Sequence, residues 1–325
     1  MSTILSPRVV FLDSHTLAGT GDLDWAPLRE GTDFIEYPRT PQELIVERTA
    51  GADIVITNKC SLTADVLSQM TSVRLILEAA TGYDNIDVQA ARSLGIDVCN
   101  VAGYARMPVA QTIVAYLLDH CNRVANYAQE SRAGQWAAGE DFCRLSHPTL
   151  ELNGKRISII GFGSIGSTLA QILLAFSAEV YAVTGKPQSS LPDGVRKIEL
   201  KAAFSESFAV SLNCPLTPET KELVNKDLLA AAKPDLVLIN TARGGVVNEQ
   251  DVAKALQENR LGAYYADVLS QEPPRADNPL LTAPRSYITP HVAWATHEAR
   301  TRIIEALAAN IRAFIKGDTL SNIVN

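Results

Sequence analysis

Residues 157–160 form a mostly apolar run that leads straight into Gly161-Phe162-Gly163-Ser164-Ile165-Gly166, and from there into S-T-L-A-Q-I-L-L-A-F. A G-x-G-x-x-G string alone says little, but between a strand and a helix it has a mechanical meaning. The first glycine makes a tight turn, the second lets a pyrophosphate approach the backbone, and the third lets the helix pack closely on the strand. The helix N-terminus then offers free N–H groups and the positive end of its dipole to phosphate. This places a dinucleotide site at Gly161, Gly163, Ser164, Ile165 and Gly166 and commits this part of the chain to a doubly wound α/β domain.

The cofactor is read from the next strand end. In V-Y-A-V-T-G-K-P, residues 180–187, the aspartate or glutamate that normally binds both ribose hydroxyls of NAD is missing. Thr184 and Gly185 stand there instead, followed by Lys186. Thr184 cannot repel a 2′-phosphate, and its hydroxyl and the Lys186 ammonium can receive one. The reading favours NADP over NAD; the alternative is that Lys186 is a solvated charge and either cofactor binds. No arginine, the better phosphate fork, lies in this turn.

The remaining organisation follows the same alternation. Short apolar runs at 9–12, 34–37, 54–57, 75–78 and 96–99 precede a second series at 156–160, 180–183, 209–212, 236–239, 263–267 and 287–289. Helical patterns lie between them, as at 41–49 and 63–69, which implies parallel sheets covered on both faces. Asn248 caps a helix beginning E-Q-D-V-A-K-A-L, with Gly262 read as its stop. Residues 109–150 separate the two series, a helix followed by an irregular excursion. Residues 297–316 form one long amphipathic helix, expected to return to the first domain.

Composition narrows the functions. A net charge of −7 argues against nucleic acid, which demands concentrated positive charge. No apolar run is long enough for a bilayer, and the opening M-S-T-I-L-S-P lacks the pattern of a secretory signal. Five widely spaced cysteines without C-x-x-C point to reduced thiols, not disulfides or a metal site, so the expected compartment is the cytoplasm.

Three stretches end strands on the same side as the glycine turn: I-N-T-A-R-G-G, A-D-V-L-S-Q-E-P-P and I-T-P-H-V-A-W-A-T. Ligands of doubly wound sheets bind beyond the carboxyl ends of the strands, so Arg243, Glu272 and His291 are expected to converge there. Hydride transfer at a carbinol carbon requires a proton to move on its oxygen, which suits histidine. A carboxylate fixes the ring, and an arginine grips a substrate carboxylate. His120 and His147 read instead as structural or solvated, and Trp136 and Trp294 as packing or interface residues, Trp294 with the alternative of walling the substrate pocket.

These motifs in this order resemble the D-isomer-specific 2-hydroxyacid dehydrogenase family. The resemblance extends through A-T-G-Y-D-N-I-D at 80–87 and L-N-C-P-L-T-P-E-T at 212–220, so it covers nearly the whole chain. It implies a catalytic set of Arg243, Glu272 and His291. It also implies substrate binding by backbone N–H groups at Thr81 and Gly82, together with Arg243 and His291. Cys214, Pro215, Thr220, Thr241 and Ala242 line the cofactor site on this reading, with Asp267 on the nicotinamide carboxamide. The implied architecture is two doubly wound parallel-sheet domains. A flavodoxin-like substrate domain spans 1–100 plus 291–325, and a Rossmann cofactor domain spans 101–290. A homodimer is built on the arm at about 109–150.

W-A-T after His291, T-N-K at 57–59 and V-A-Q in the arm are similar to the glycerate dehydrogenase/hydroxypyruvate reductase branch. The implied substrate is a small anionic 2-keto acid, hydroxypyruvate or glyoxylate, reduced to D-glycerate or glycolate. Two alternatives stand beside it. One is a bulkier substrate such as 2-ketogluconate; the other is a dinucleotide-sensing corepressor-like binding protein.

Overall fold

A computed structural model describes residues 6–325, so the first five residues of the opening read above lie outside the described residues. The chain forms two compact units, one running to Tyr104 and completed by Ala295–Asn325, the other spanning Ala105–Trp294. The divisions fall a few residues beyond the expected 100 and 290. Among the described residues no helix is long and apolar enough to cross a membrane.

The first unit holds β1 (Arg8–Phe11), β2 (Asp33–Glu36), β3 (Ile54–Thr57), β4 (Leu75–Glu78) and β5 (Asp97–Cys99). All pair in parallel in the order β2-β1-β3-β4-β5, the flavodoxin-like winding. The second holds β6 (Arg156–Ile160), β7 (Glu179–Val183), β8 (Val195–Lys197), β9 (Ala209–Leu212), β10 (Val237–Asn240), β11 (Ala263–Ala266) and β12 (Ser286–Ile288). Its order, β12-β11-β10-β9-β6-β7-β8, is the dinucleotide-binding winding with β12 added at one edge.

Successive residues of each strand point to opposite faces, so the second sheet divides its apolar residues between two layers. Ile157, Ile159, Val180, Val237 and Ile239 pack with the helices Arg106–Asn122 and Ser164–Ala175. Ile160, Val210, Leu212, Leu238 and Tyr264 pack with the helices Leu200–Glu206 and Glu249–Gln257. His120 lies in the first layer between the rings of Phe208 and Tyr265, and burial pushes its imidazole down to about 4.

Four local readings need correction. The strand β8 was not anticipated, because V-R-K carries one inward residue and two exposed charges, the pattern of a short protected edge. Residues 41–49 are a 3-10 turn, Gln42–Leu44, followed by the short helix Ile45–Arg48. The arm helix breaks at Arg123, which adopts a left-handed conformation (φ 52°) before a second helix, Val124–Arg132. Gly262 is not a helix stop: the helix ends at Gln257, and a Cβ at Gly262 would lie 2.6 Å from the Asp235 carbonyl carbon. Its role is close passage of two backbones at the start of β11.

In the first unit the helix His297–Lys316 is capped by the Thr296 hydroxyl and ended by Gly317 (φ 71°). Ala299, Ile303, Ile304, Leu307, Ala308 and Ile311 form its buried stripe. Two buried carboxylates lie at the carboxyl ends of this unit's strands. Asp13 accepts the backbone N–H groups of Asn58 (2.9 Å), Lys59 (2.6 Å) and Cys60 (3.2 Å). Glu78 is fully buried; Asn85 Nδ2 donates to its Oε2 at 3.1 Å, while Oε1 has no partner among the described residues. Burial pushes its carboxyl up to about 9 from the usual 4.5. The folded protein therefore keeps a proton that the unfolded chain releases, and stability falls as pH rises between those values. Glu78→Gln, which preserves the acceptor for Asn85, is expected to raise Tm at pH 8 by about 3 °C or more, with the gain shrinking toward pH 5. Thermal unfolding across that range checks it; a gain that does not change with pH counts against a buried acid.

Candidate active site

The second sheet fixes the site through its register. Val183, Ile160, Leu212, Asn240, Ala266 and Ile288 are successive Cα partners across β7, β6, β9, β10, β11 and β12. Each is the last residue of its strand, so the segments that follow leave from one edge, about 4.8 Å apart. In that order the edge carries Thr184, the glycine turn, Asn213, Arg243, Asp267 with Glu272, and His291. The order of the chemistry is the strand order.

The glycines divide their tasks. Gly161 (φ 88°) lies so near the next strand end that a Cβ would meet the Asn213 carbonyl carbon and the Cys214 nitrogen at 2.7 Å. A Cβ at Gly166 would fall 2.5 Å from the Gly161 oxygen, whereas Gly163 has nothing within 4 Å. The helix Ser164–Ala175 starts at Gly163 without a side-chain cap, which leaves its first N–H groups to a phosphate. Two buried polar atoms nearby in the register, Asn213 Oδ1 and Thr241 Oγ1, have no partner among the described residues. Open space over Gly163, an uncapped helix start and orphaned polar atoms together fit a dinucleotide. Asn213 was not singled out from sequence; its place beside Cys214-Pro215, at the strand end next to Gly161, was the available signal.

The other expected cofactor residues differ among themselves. Thr184 Oγ1 accepts the Lys186 N–H at 3.2 Å, closing a small turn, and the Lys186 side chain is exposed. Cys214 is buried and burial pushes its thiol up, whereas Pro215 is exposed. Thr220 uses its hydroxyl within its own loop, donating to Pro215 O (2.6 Å) and accepting Thr217 N–H (2.7 Å). It therefore holds the loop's shape and has no free donor for a ligand. The Ala242 N–H is bonded to Asn240 Oδ1 (3.1 Å) and its carbonyl accepts Arg243 Nη1 (2.9 Å).

Arg243 is exposed on a turn tied from beneath by buried Asn240, whose Nδ2 also donates to Arg243 O at 3.0 Å. Gly244 follows, and a Cβ there would lie 1.9 Å from the Leu269 carbonyl carbon. The Arg243 turn thus rests directly on the backbone that leads to Glu272. Glu272 Oε1 accepts Leu269 N–H at 2.9 Å, and Oε2 meets His291 Nδ1 at 2.5 Å. One carboxylate is therefore held by backbone on one oxygen and holds imidazole with the other, which leaves Nε2 free.

His291 has φ 55°, a left-handed conformation that costs a β-carbon residue about 1 kcal/mol or more. Asp267 stabilises it. Only 2% exposed, Asp267 accepts Thr289 Oγ1 (2.6 Å), Val292 N–H (2.9 Å) and Ala293 N–H (2.8 Å), while its carbonyl accepts His291 N–H at 2.9 Å. Assigned from sequence to the nicotinamide carboxamide, this carboxylate also anchors the 289–293 loop. Trp294 Nε1 donates to His291 O at 3.0 Å, so the indole is fastened to the same loop.

In the first unit, Thr81 Oγ1 donates to Val101 O (2.9 Å) and Thr81 O accepts Asn100 Nδ2 (2.7 Å). Glu78 and Asn85 join the ends of this loop. Among the described residues no group of three or more His, Cys, Asp or Glu is arranged to hold a metal ion.

Comparison with known proteins matches this arrangement to a family. The model of the D-isomer specific 2-hydroxyacid dehydrogenase, NAD binding domain, fits residues 114–293. The hydroxypyruvate reductase of Blautia hydrogenotrophica is 37% identical over 322 residues, covering 98% of this chain and 99% of its own. The glycerate dehydrogenase of Methylorubrum extorquens is 36% identical over 320 residues, covering 96% and 98%. A solved structure of a Thermus thermophilus protein has a TM-score of 0.85 at 29% identity, covering 98% of this chain and 100% of that one. The chain therefore belongs to the D-isomer-specific 2-hydroxyacid dehydrogenase family of nicotinamide-dependent oxidoreductases.

Proposed function

We propose that this enzyme reduces a small 2-keto acid, hydroxypyruvate or glyoxylate, to D-glycerate or glycolate, and runs the reverse oxidation. The observation that carries the mechanism is the 2.5 Å contact between Glu272 Oε2 and His291 Nδ1, one strand away from Arg243. Bound NAD(P)H supplies the hydride. Arg243, with donors beyond the one given to Ala242 O, grips the substrate carboxylate and draws electron density from the adjacent carbonyl. The His291 ring, held at Nδ1, gives its Nε2 proton to the carbonyl oxygen as that oxygen becomes a hydroxyl. In the first unit, the backbone N–H groups at Thr81 and Gly82 are assigned to the substrate carboxylate. The 36–37% identity to a hydroxypyruvate reductase and a glycerate dehydrogenase supports the choice of substrate.

NADP is favoured over NAD because the end of β7 carries Thr184 and Lys186 in place of an acid. The assembly is assigned as a homodimer through the arm. There Glu130 gathers Arg144 Nε (2.9 Å), His147 Nε2 (2.8 Å) and Ser146 Oγ (2.5 Å). This shapes residues 133–150 without regular structure while Phe142 and Leu145 stand 91% and 87% exposed. Apolar side chains displayed so fully on an ordered arm suit burial against a second copy.

Initial rates with hydroxypyruvate and glyoxylate, each with NADPH and NADH, are expected to be highest with NADPH. Lys186→Ala is expected to raise KM for NADPH about tenfold and leave that for NADH near its original value. Turnover of 2-ketogluconate in preference to both acids overturns the substrate assignment. His291→Gln is expected to lower kcat about a thousandfold while cofactor affinity, read by fluorescence titration, changes little. Leu145→Asp is expected to convert the dimer to a monomer in sedimentation velocity; a wild-type monomer at micromolar concentration rules the arm out as an interface.

A further inference from the structure

We propose that Tyr116 and Thr289 are positioning residues for His291, acting through a hydrogen-bonded chain that ends on the Asp267 carboxylate. The Thr289 hydroxyl has a single proton, and it is given to Asp267 Oδ1 at 2.6 Å. The Tyr116 phenol, in short contact with Thr289 Oγ1, must therefore be the donor to that oxygen. Asp267 passes the constraint on, because the same Oδ1 accepts Val292 N–H and Oδ2 accepts Ala293 N–H. With the bond from His291 N–H to Asp267 O, the chain reaches both sides of the residue that carries the left-handed backbone.

Tyr116 is itself firmly placed. Only 9% exposed, its ring lies 5.3 Å from that of Tyr265, which stacks on Tyr287 at 4.5 Å and 17°. Tyr265 and Tyr287 are direct register partners on β11 and β12, so the sheet fixes both rings, and Tyr265 OH donates to Asp119 Oδ2 at 3.2 Å. Asp119 and Tyr116 share the helix Arg106–Asn122, one turn apart. The helix thus meets the strands that carry the His291 loop through a three-ring ladder and two hydroxyl contacts. Burial pushes the Tyr116 phenol up to about 12, so it keeps the proton the chain requires. Thr289 supplies what no apolar residue of its size can: an acceptor for tyrosine and a donor to aspartate in one atom.

This inference rests on the reading of His291 as the proton donor, and the test separates the two. Tyr116→Phe, Thr289→Val and Thr289→Ser are made in the full chain, alone and combined with His291→Gln, and assayed with hydroxypyruvate and NADPH. Tyr116→Phe and Thr289→Val are expected to lower kcat about fivefold to tenfold, the range for losing one bond in a buried network, with cofactor affinity nearly unchanged. Thr289→Ser keeps the hydroxyl and is expected to stay within about twofold of wild type. In the His291→Gln background the same changes are expected to cost less than about twofold, because the group they position is gone. If Thr289→Val fails to fold, Tyr116→Phe and Thr289→Ser still decide the matter.

Retention of wild-type kcat by Tyr116→Phe overturns the proposal, as does an equal loss with and without His291. A fall in cofactor affinity as large as that in kcat also overturns it, in favour of a general structural role. If His291→Gln itself retains activity, the acid–base reading falls and this proposal falls with it. If His291→Gln is inactive but the Tyr116 and Thr289 variants are not, only the proposal falls.

Discussion

The in-register pairing of parallel strands is the constraint on which the rest of the second unit depends. Because β7, β6, β9, β10, β11 and β12 end on one row of partners, every chemical segment departs from the same edge. Antiparallel pairing would send alternate segments to opposite ends of the sheet. The parallel pairing itself rests on backbone hydrogen bonds and not on polar side chains. β9 and β10 are buried throughout, and their apolar side chains go to one face or the other. Affinity for phosphate, the arginine and the histidine all belong to the first few residues after each strand.

At that edge the loops are held by close backbone approach and by buried polar groups, beside the packing of loop residues such as Val246, Leu269 and Ala293 into the cores. Gly161 and Gly244 are places where one loop lies against the backbone of the next, with no room for a side chain. Asn240 and Asp267, both buried, convert backbone donors and acceptors into fixed turns. The unfavourable conformation at His291 persists because its neighbours in the chain are bonded to a carboxylate that water does not reach. Such an arrangement keeps the imidazole aligned with Glu272.

Much of the fold was legible because it rests on short-range pattern. The apolar runs that became β3, β4, β6 and β9 are each flanked by turn residues, and the glycine turn between a strand and a helix has few other uses. The helix cap at Asn248 was visible for the same reason, since its oxygen reaches only three residues forward to Asp251. Failures cluster where local signals are weak or mean something else. V-R-K at β8 has too few inward residues to show a period, and Gly262 reads as a helix stop although it answers to Asp235, far away in sequence.

The sequence by itself determined the alternation of strands and helices, the dinucleotide turn, the residue types available for acid–base chemistry and the family to which the chain belongs. Only the tertiary structure decided which polar groups are bonded within the protein. Thr220 and Asp267 carry functional groups suited to a cofactor, and the fold bonds their oxygens to neighbouring backbone and hydroxyl groups. Tyr116 lies 173 residues from Thr289 and carries no motif, yet the two hydroxyls meet. The physical reason is range: periodicity, capping and turn chemistry act over a few residues of chain. A hydrogen bond acts over about 3 Å of space, and only packing brings distant residues that close.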